Sequence, residues 1–201
     1  MEEEHAPVVY RPELLRKILE EAYKRDDDLG PIIEIYFYTA MRTKEGTKLS
    51  FDDIDLEQRT ITLDASTTKK KRYKTIPLNN RCVDLLRYIQ TRYDKPIPLT
   101  MEQIEDAWAK VRKEIGFNGR FYDLRKSANT WLKYCAGLES SICKIILGHR
   151  NANDSNEMYY TGFIAEPVHE AMEKLVSTLY PSGAPPIPCS NKTDKPEHAK
   201  R

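Results

Sequence analysis

The sequence predicts a mainly α-helical domain with a small antiparallel β-sheet, an α+β architecture, and three observations predict it. Apolar residues recur at spacings of three and four along most of the chain. Period-two alternation is confined to two neighbouring runs, Arg59-Thr60-Ile61-Thr62-Leu63 and Tyr73-Lys74-Thr75-Ile76-Pro77-Leu78. At 201 residues the chain is long enough for one domain with its own core and too short for two large ones. It shows no internal repeat and no sustained heptad pattern.

Residues 1–10 read as a leader or the end of a linker. Pro12 at a first helical position opens an amphipathic helix with Leu14, Leu15, Ile18, Leu19 and Ala22 inward, which stops near the Asp26–Asp28 run. From Ile32 to Met41 the residues are apolar or aromatic nearly all round, the pattern of a helix buried on most sides. Arg42 comes at its end, and Glu45, three residues on, can supply the partner a buried guanidinium needs. Asp52 to Leu56 reads as a turn. The two alternating runs then form a hairpin whose polar connection is Ser66 to Arg72.

Asn79 or Asn80 caps a helix carrying Cys82, Leu86, Ile89 and Tyr93. Pro96 and Pro98 end it. Thr100 and Gln103 make a capping-box pattern before the stripe Ile104, Trp108, Val111 and Ile115, and Gly116 stops that helix. The helix around Arg125 places Leu124, Ala128, Trp131, Leu132 and Cys135 inward and ends at Gly137. A short helix from Ser140 or Ser141, with Ile142, Ile145 and Ile146 inward, stops at Gly148. Glu166-Pro167 opens a last helix with Val168, Met172, Leu175 and Leu179 on one face. From Pro181 to Arg201, Pro, Gly, Ser and Lys dominate, the composition of a disordered tail.

Charge is nearly balanced, with 32 Lys+Arg against 31 Asp+Glu, so net charge argues neither for nor against a polyanionic partner. Its distribution says more. Five of the six residues from Lys69 to Lys74 are basic, so a polyanion would be met locally. The four cysteines, Cys82, Cys135, Cys143 and Cys189, lack metal-ligand spacing, and the first three fall in apolar helical patterns that read as buried free thiols. The acidic start is unlike a signal peptide, and no apolar run has the length of a membrane span, so the expectation is an intracellular, cytoplasmic protein.

Chemistry concentrates in a few residues. Arg42 and Arg125 follow Thr39-Ala40-Met41 and Tyr122-Asp123-Leu124. A lysine-rich turn carries Lys69, Lys70, Lys71, Arg72 and Lys74, and Leu147-Gly148-His149 precedes Met158-Tyr159-Tyr160-Thr161 by a short polar loop. Two arginines, a lysine, a histidine and a tyrosine suit attack of a phenol on a phosphodiester. The arginines would neutralise the non-bridging oxygens, a lysine would protonate the leaving 5′ oxygen, the histidine would bond a phosphate oxygen, and a phosphotyrosine would conserve the bond energy without a cofactor.

These boxes, in this order, closely resemble the catalytic domain of the tyrosine recombinases, or phage-type integrases, over roughly residues 11 to 180. The resemblance implies that Arg42 and Arg125 are the two family arginines, Glu45 an acidic buttress, Lys69 the hairpin lysine, His149 the last-box histidine and Tyr160 the nucleophile. Tyr159 is the alternative nucleophile, and Lys70 and Lys71 compete with Lys69. Lys70, Lys71, Arg72 and Lys74 are read as contacts to the DNA backbone. Implied partners are double-stranded DNA and further copies in a tetramer, with the last helix or tail exchanged and its apolar face a candidate for that docking. No metal is implied.

Three departures from the family stand out. Tyr122 replaces the usual histidine of the second arginine box, which removes an imidazole from proton transfer and puts activity in doubt. The His149–Tyr160 interval is about two residues long for the family. Gly46-Thr47 replaces apolar helix residues, which suggests a looser helix. Family members also carry an N-terminal DNA-clamping domain for which these residues leave no room, so an excised catalytic domain or a minimal relative is expected. Two other activities fit the same residues: a catalytically impaired DNA-binding or regulatory relative, and a nicking-resealing enzyme like type IB topoisomerases.

Overall fold

In the computed structural model, residues 8–25, 28–63, 74–148 and 166–187 are described. The first helix, α1 (Pro12–Tyr23), buries Leu15, Ile18, Leu19 and Ala22 against α2 (Leu29–Thr39), all of whose residues are buried. The packed core begins at Tyr10, inside the stretch expected to be leader. Its ring is fully buried, its N–H donates to Ser127 Oγ (2.8 Å), and its carbonyl accepts from the Trp131 indole (3.0 Å).

One residue in the apolar run of α2 carries a charge, Glu34, which is fully buried. Arg81 meets its carboxylate through Nε (3.1 Å) and Nη2 (2.9 Å), and the phenols of Tyr23 and Tyr38 donate to it as well. The pair is tolerable in the core because both oxygens are satisfied. Asp28 behaves similarly. The last residue of the acidic run at which the first helix was expected to stop, it is buried and accepts from Tyr88 (2.8 Å), Tyr93 (2.6 Å) and Arg92 (3.1 Å).

α2 ends at Ala40, whose φ of 48° lies in the left-handed region, and the chain re-enters helix for one turn, α3 (Thr43–Gly46). This segment is packed rather than loose. A Cβ on Gly46 would lie within 2.6 Å of the Tyr36 phenol, which occupies that space and donates to Thr43 O (2.9 Å). A single 3₁₀ turn, Phe51–Asp53, leads into the sheet.

The sheet has three antiparallel strands in the order β1 (Ile54–Asp55), β2 (Thr60–Leu63), β3 (Lys74–Pro77). The expected turn at Asp52 to Leu56 therefore includes a short edge strand. In β2 and β3 the register pairs Ile61 with Ile76 and Leu63 with Lys74, all four buried.

Asn79 is the N-cap of α4 (Asn80–Gln90), accepting from Cys82 N (2.7 Å). Thr100 and Gln103 form the expected capping box of α5 (Met101–Ile115), and Gly116 ends it at a φ of 73°. α6 (Asp123–Tyr134) buries Leu124, Ala128, Trp131 and Leu132. Cys135, expected to be buried, lies past its end and is exposed, whereas Cys82 and Cys143 are buried. α7 (Ser140–Ile146) follows.

The last helix, α8 (Glu166–Leu179), packs on its own chain. Val168, Met172, Leu175 and Leu179 are buried, Leu179 O accepts from Arg16 (2.8 Å), and Met172 O from Asn79 (3.3 Å). The apolar face expected to dock on a neighbouring copy is thus already covered. Part of the expected tail is placed too: Pro185 O accepts from Arg81 Nη1 (2.7 Å), and residues 188–201 fall outside the described residues. No helix among the described residues is long and apolar enough to cross a membrane.

Replacing Arg81 by Met leaves Glu34 as an unpaired charge in the core, so Arg81→Met is expected to cost about 3–5 kcal/mol in urea unfolding. A loss below about 1 kcal/mol would show that the tyrosines alone satisfy the carboxylate.

Candidate active site

The break after α2 creates the site. With Ala40 in the left-handed region, its carbonyl leaves the helix ladder and accepts from Arg125 Nη1, while Leu147 O at the end of α7 accepts from Arg125 Nη2 (2.6 Å). The guanidinium, 4% exposed, therefore ties the end of α2 to the end of α7 from its place in the first turns of α6. A planar donor fork can bridge two carbonyls in this way; an ammonium offers no such fixed span.

Two residues past Ala40, Arg42 stands in extended backbone immediately before α3 and is half-buried. Its Nη1 meets Glu45 Oε1 at 2.5 Å, and its backbone N–H donates to Glu45 Oε2 at 3.0 Å, so Glu45 holds both the side chain and the helix start. From the other side, Lys74 Nζ lies 3.4 Å from Glu45 Oε2. Glu45 is 2% exposed. Burial alone would raise its pKa, but Lys74, then the bonds from Arg42, outweigh this and hold it below the usual carboxylate value.

Lys74 and Arg125 move the other way. Burial, opposed by Glu45 and reinforced by Arg125 and Arg42, brings the Lys74 ammonium down to about 8. Burial and then Arg42 lower Arg125, against the pull of Glu45 and Tyr122. Like charges are being held together. Arg42, Lys74, Arg125 and Glu45 sum to two positive charges in a largely desolvated cluster, the arrangement of an anion site.

Tyr122, just before α6, is 45% exposed beside this cluster. With Tyr36, Met41, Thr43, Phe121, Leu124 and Arg125 it lines a small depression, and Lys126 Nζ sits 5.8 Å from its ring centroid. Of the residues singled out in the sequence, Arg42, Glu45, Tyr122 and Arg125 come together here. Lys69, Lys70, Lys71, Arg72, His149, Tyr159 and Tyr160 lie outside the described residues. Lys74, expected on a surface facing DNA, is buried in the cluster. Its signal in the sequence was its register: two residues from Ile76 on a strand, it shares the inward face.

The model of the phage integrase family matches residues 11–163. The chain belongs to this family. Two curated relatives of the chain are the integrase of Shigella phage Sf6, 32% identical over 94 residues, and prophage integrase IntS of Escherichia coli K12, 33% identical over 94 residues. Either match covers 41% of this chain and 23% of the relative, so the chain spans about a quarter of their length.

Solved structures carry the same fold. The integrase of mycobacterium phage Brujita aligns with a TM-score of 0.67 at 17% identity over 87% of this chain and 60% of that one. A Tn1549 transposon integrase in complex with a circular intermediate DNA gives 0.64 at 17% identity over 74% and 60%, and a lambda integrase tetramer bound to a Holliday junction 0.62 at 15% over 78% and 51%.

Arg125→Lys keeps the charge but cannot span Ala40 O and Leu147 O, and leaving a buried carbonyl unmet costs about 1–3 kcal/mol. Urea unfolding of Arg125→Lys is expected to show a loss of that size. Stability within about 0.5 kcal/mol of wild type would mean that the bridge does not hold the site together.

Proposed function

We propose that this integrase is the catalytic domain of a site-specific DNA recombinase that breaks and rejoins strands through a covalent 3′-phosphotyrosine. The observation that carries this reading is the cluster of Arg42, Lys74 and Arg125 around one carboxylate, a preformed seat for an anion presented by a chain of the integrase family. The phenol of Tyr160 gives up its proton to solvent as its oxygen attacks phosphorus, the P–O5′ bond breaks, and the departing 5′ oxygen takes a proton from Lys69. A 5′-hydroxyl of a partner strand reverses these steps and frees the tyrosine. Arg42, Arg125 and His149 hold the non-bridging oxygens, where charge grows in the transition state.

Glu45 sets Arg42 rather than touching DNA. Tyr122, exposed at the edge of the cluster, offers a phenolic hydrogen bond in place of an imidazole. Lys70, Lys71 and Arg72 contact the phosphate backbone beside the scissile bond. The chain acts on double-stranded DNA inside the cell, and the lambda integrase tetramer on a Holliday junction supports a tetramer on two sites as its working assembly.

The test is covalent capture of the full chain on a pool of nicked suicide duplexes of randomised sequence, read on a denaturing gel. Wild type and Tyr159→Phe are expected to give a protein–DNA adduct, and Tyr160→Phe none. Loss only in Tyr159→Phe would move the nucleophile by one residue. DNA retained on a native gel without any adduct would favour an impaired DNA-binding relative, the outcome that replacement of the family histidine by Tyr122 would produce. Relaxation of a supercoiled plasmid lacking a second site would favour the topoisomerase-like activity.

A further inference from the structure

Lys74 was expected on a DNA-facing surface, and its surroundings give it a different task. It begins β3 on the same face as Ile76, and its side chain is 5% exposed. Its Nζ reaches Glu45 Oε2 at 3.4 Å, the oxygen that also accepts from Arg42 N, while Glu45 Oε1 takes Arg42 Nη1. The aliphatic stem has a second contact. Gly148 has a φ of 68°, and a Cβ built on it would meet Lys74 Cδ at 3.2 Å, so the lysine runs directly beneath the turn that precedes His149. One side chain therefore touches the first arginine box through Glu45 and the last box through Gly148. Arg125 ties the same two segments through Ala40 O and Leu147 O.

We infer that Lys74 is a positioning residue of the strand-cleaving centre, a buried cation that clamps Glu45 against Arg42 and carries the Gly148 turn, and that it neither contacts the DNA backbone nor protonates the leaving oxygen. The inference rests on the recombinase reading. A phosphate contact would require Nζ to leave Glu45 for solvent, removing the cation from the carboxylate's second oxygen and leaving it only the Arg42 N–H in a desolvated site. As a clamp it acts with its charge in place. Among the described residues the charged groups facing it are Glu45, Arg42 and Arg125, and with a pKa brought down to about 8 it loses that charge within the working range of an alkaline buffer.

The experiment measures single-turnover covalent cleavage by the full chain, comparing wild type with Lys74→Met on a suicide phosphodiester and on the same duplex with a 5′-bridging phosphorothiolate, whose thiolate leaves without a proton. Lys74→Met is expected to slow both substrates alike by about tenfold or more, the scale set by small misplacements of catalytic groups. The ratio of wild-type to variant rates is expected to shrink as pH rises through about 8, where the wild-type lysine becomes neutral. A role in folding alone would leave that ratio flat and would overturn the inference.

Rescue of Lys74→Met by the phosphorothiolate would make Lys74 the general acid. Unchanged cleavage with a shallower salt dependence of binding would make it a backbone contact. Should Lys74→Met melt below the assay temperature, Lys74→Gln, which keeps a donor to Glu45 without the charge, reads the same outcomes. Absence of an adduct with wild type itself would sink the recombinase reading and this inference with it, whereas a normal wild-type adduct with unaffected variants would sink this inference alone.

Discussion

The site depends on one buried guanidinium. Arg125 holds the carbonyls of Ala40 and Leu147, which belong to helices far apart in sequence, and thereby sets where Arg42 and the Gly148 turn stand relative to one another. The geometry is possible because α2 ends in a left-handed alanine. A non-glycine residue in that region costs about 1–2 kcal/mol, and here it frees a carbonyl in the direction of the arginine. The strain sits where it directs the Arg125 guanidinium, and a packed core on three sides of α2 holds it in place.

Around that bridge the electrostatics follow a simple ordering. Glu45 is the one acidic member and each of its oxygens is engaged, so it stays ionised despite burial. Three cations surround it, and burial first, then their mutual repulsion, lowers the pKa of Lys74 and Arg125. Contrast the Glu34–Arg81 pair in the preceding helix α2, where one acid faces one base with two tyrosines in support. Both clusters are buried. Charge balances in the pair at Glu34, which holds the core; at Glu45 it stays positive, which suits a site that receives a phosphate.

Much of this was legible in the sequence, and the misses have physical causes. Helix periodicity, the capping box at Thr100 and Gln103 and the hairpin pairing all came through because each is written in local spacing. Arg42, Glu45 and Arg125 were recognisable as a set because their order resembles a family, although their juxtaposition is a tertiary fact. Buried polar residues were hidden. Asp28 read as part of an acidic run at a helix end and Lys74 as a DNA contact in a basic run, since charge runs ordinarily face outward. What places them inside is partners from distant elements: Tyr88, Arg92 and Tyr93 for Asp28, and Glu45 for Lys74. Gly46 was misread for a related reason. It looked like a weak helix position, and its use is the room it gives to Tyr36, ten residues earlier.

The cluster also constrains what the fold must supply elsewhere. Gathering three cations around one carboxylate opposes folding, because each charge leaves water and repels its neighbours before any phosphate arrives. Glu45 offsets only part of that. The compensation comes from the body of the domain: α2 buried along its whole length, the edge-on rings of Tyr36, Phe121 and Trp108, and α8 packed against α1, α6 and β3. Such a division matches a general tension between stability and activity, in which a preorganised site is held in an unfavourable arrangement by structure outside it. It follows that binding of an anion at Arg42 and Arg125 should stabilise the whole domain as well as the site, since the phosphate relieves a repulsion that folding alone leaves in place.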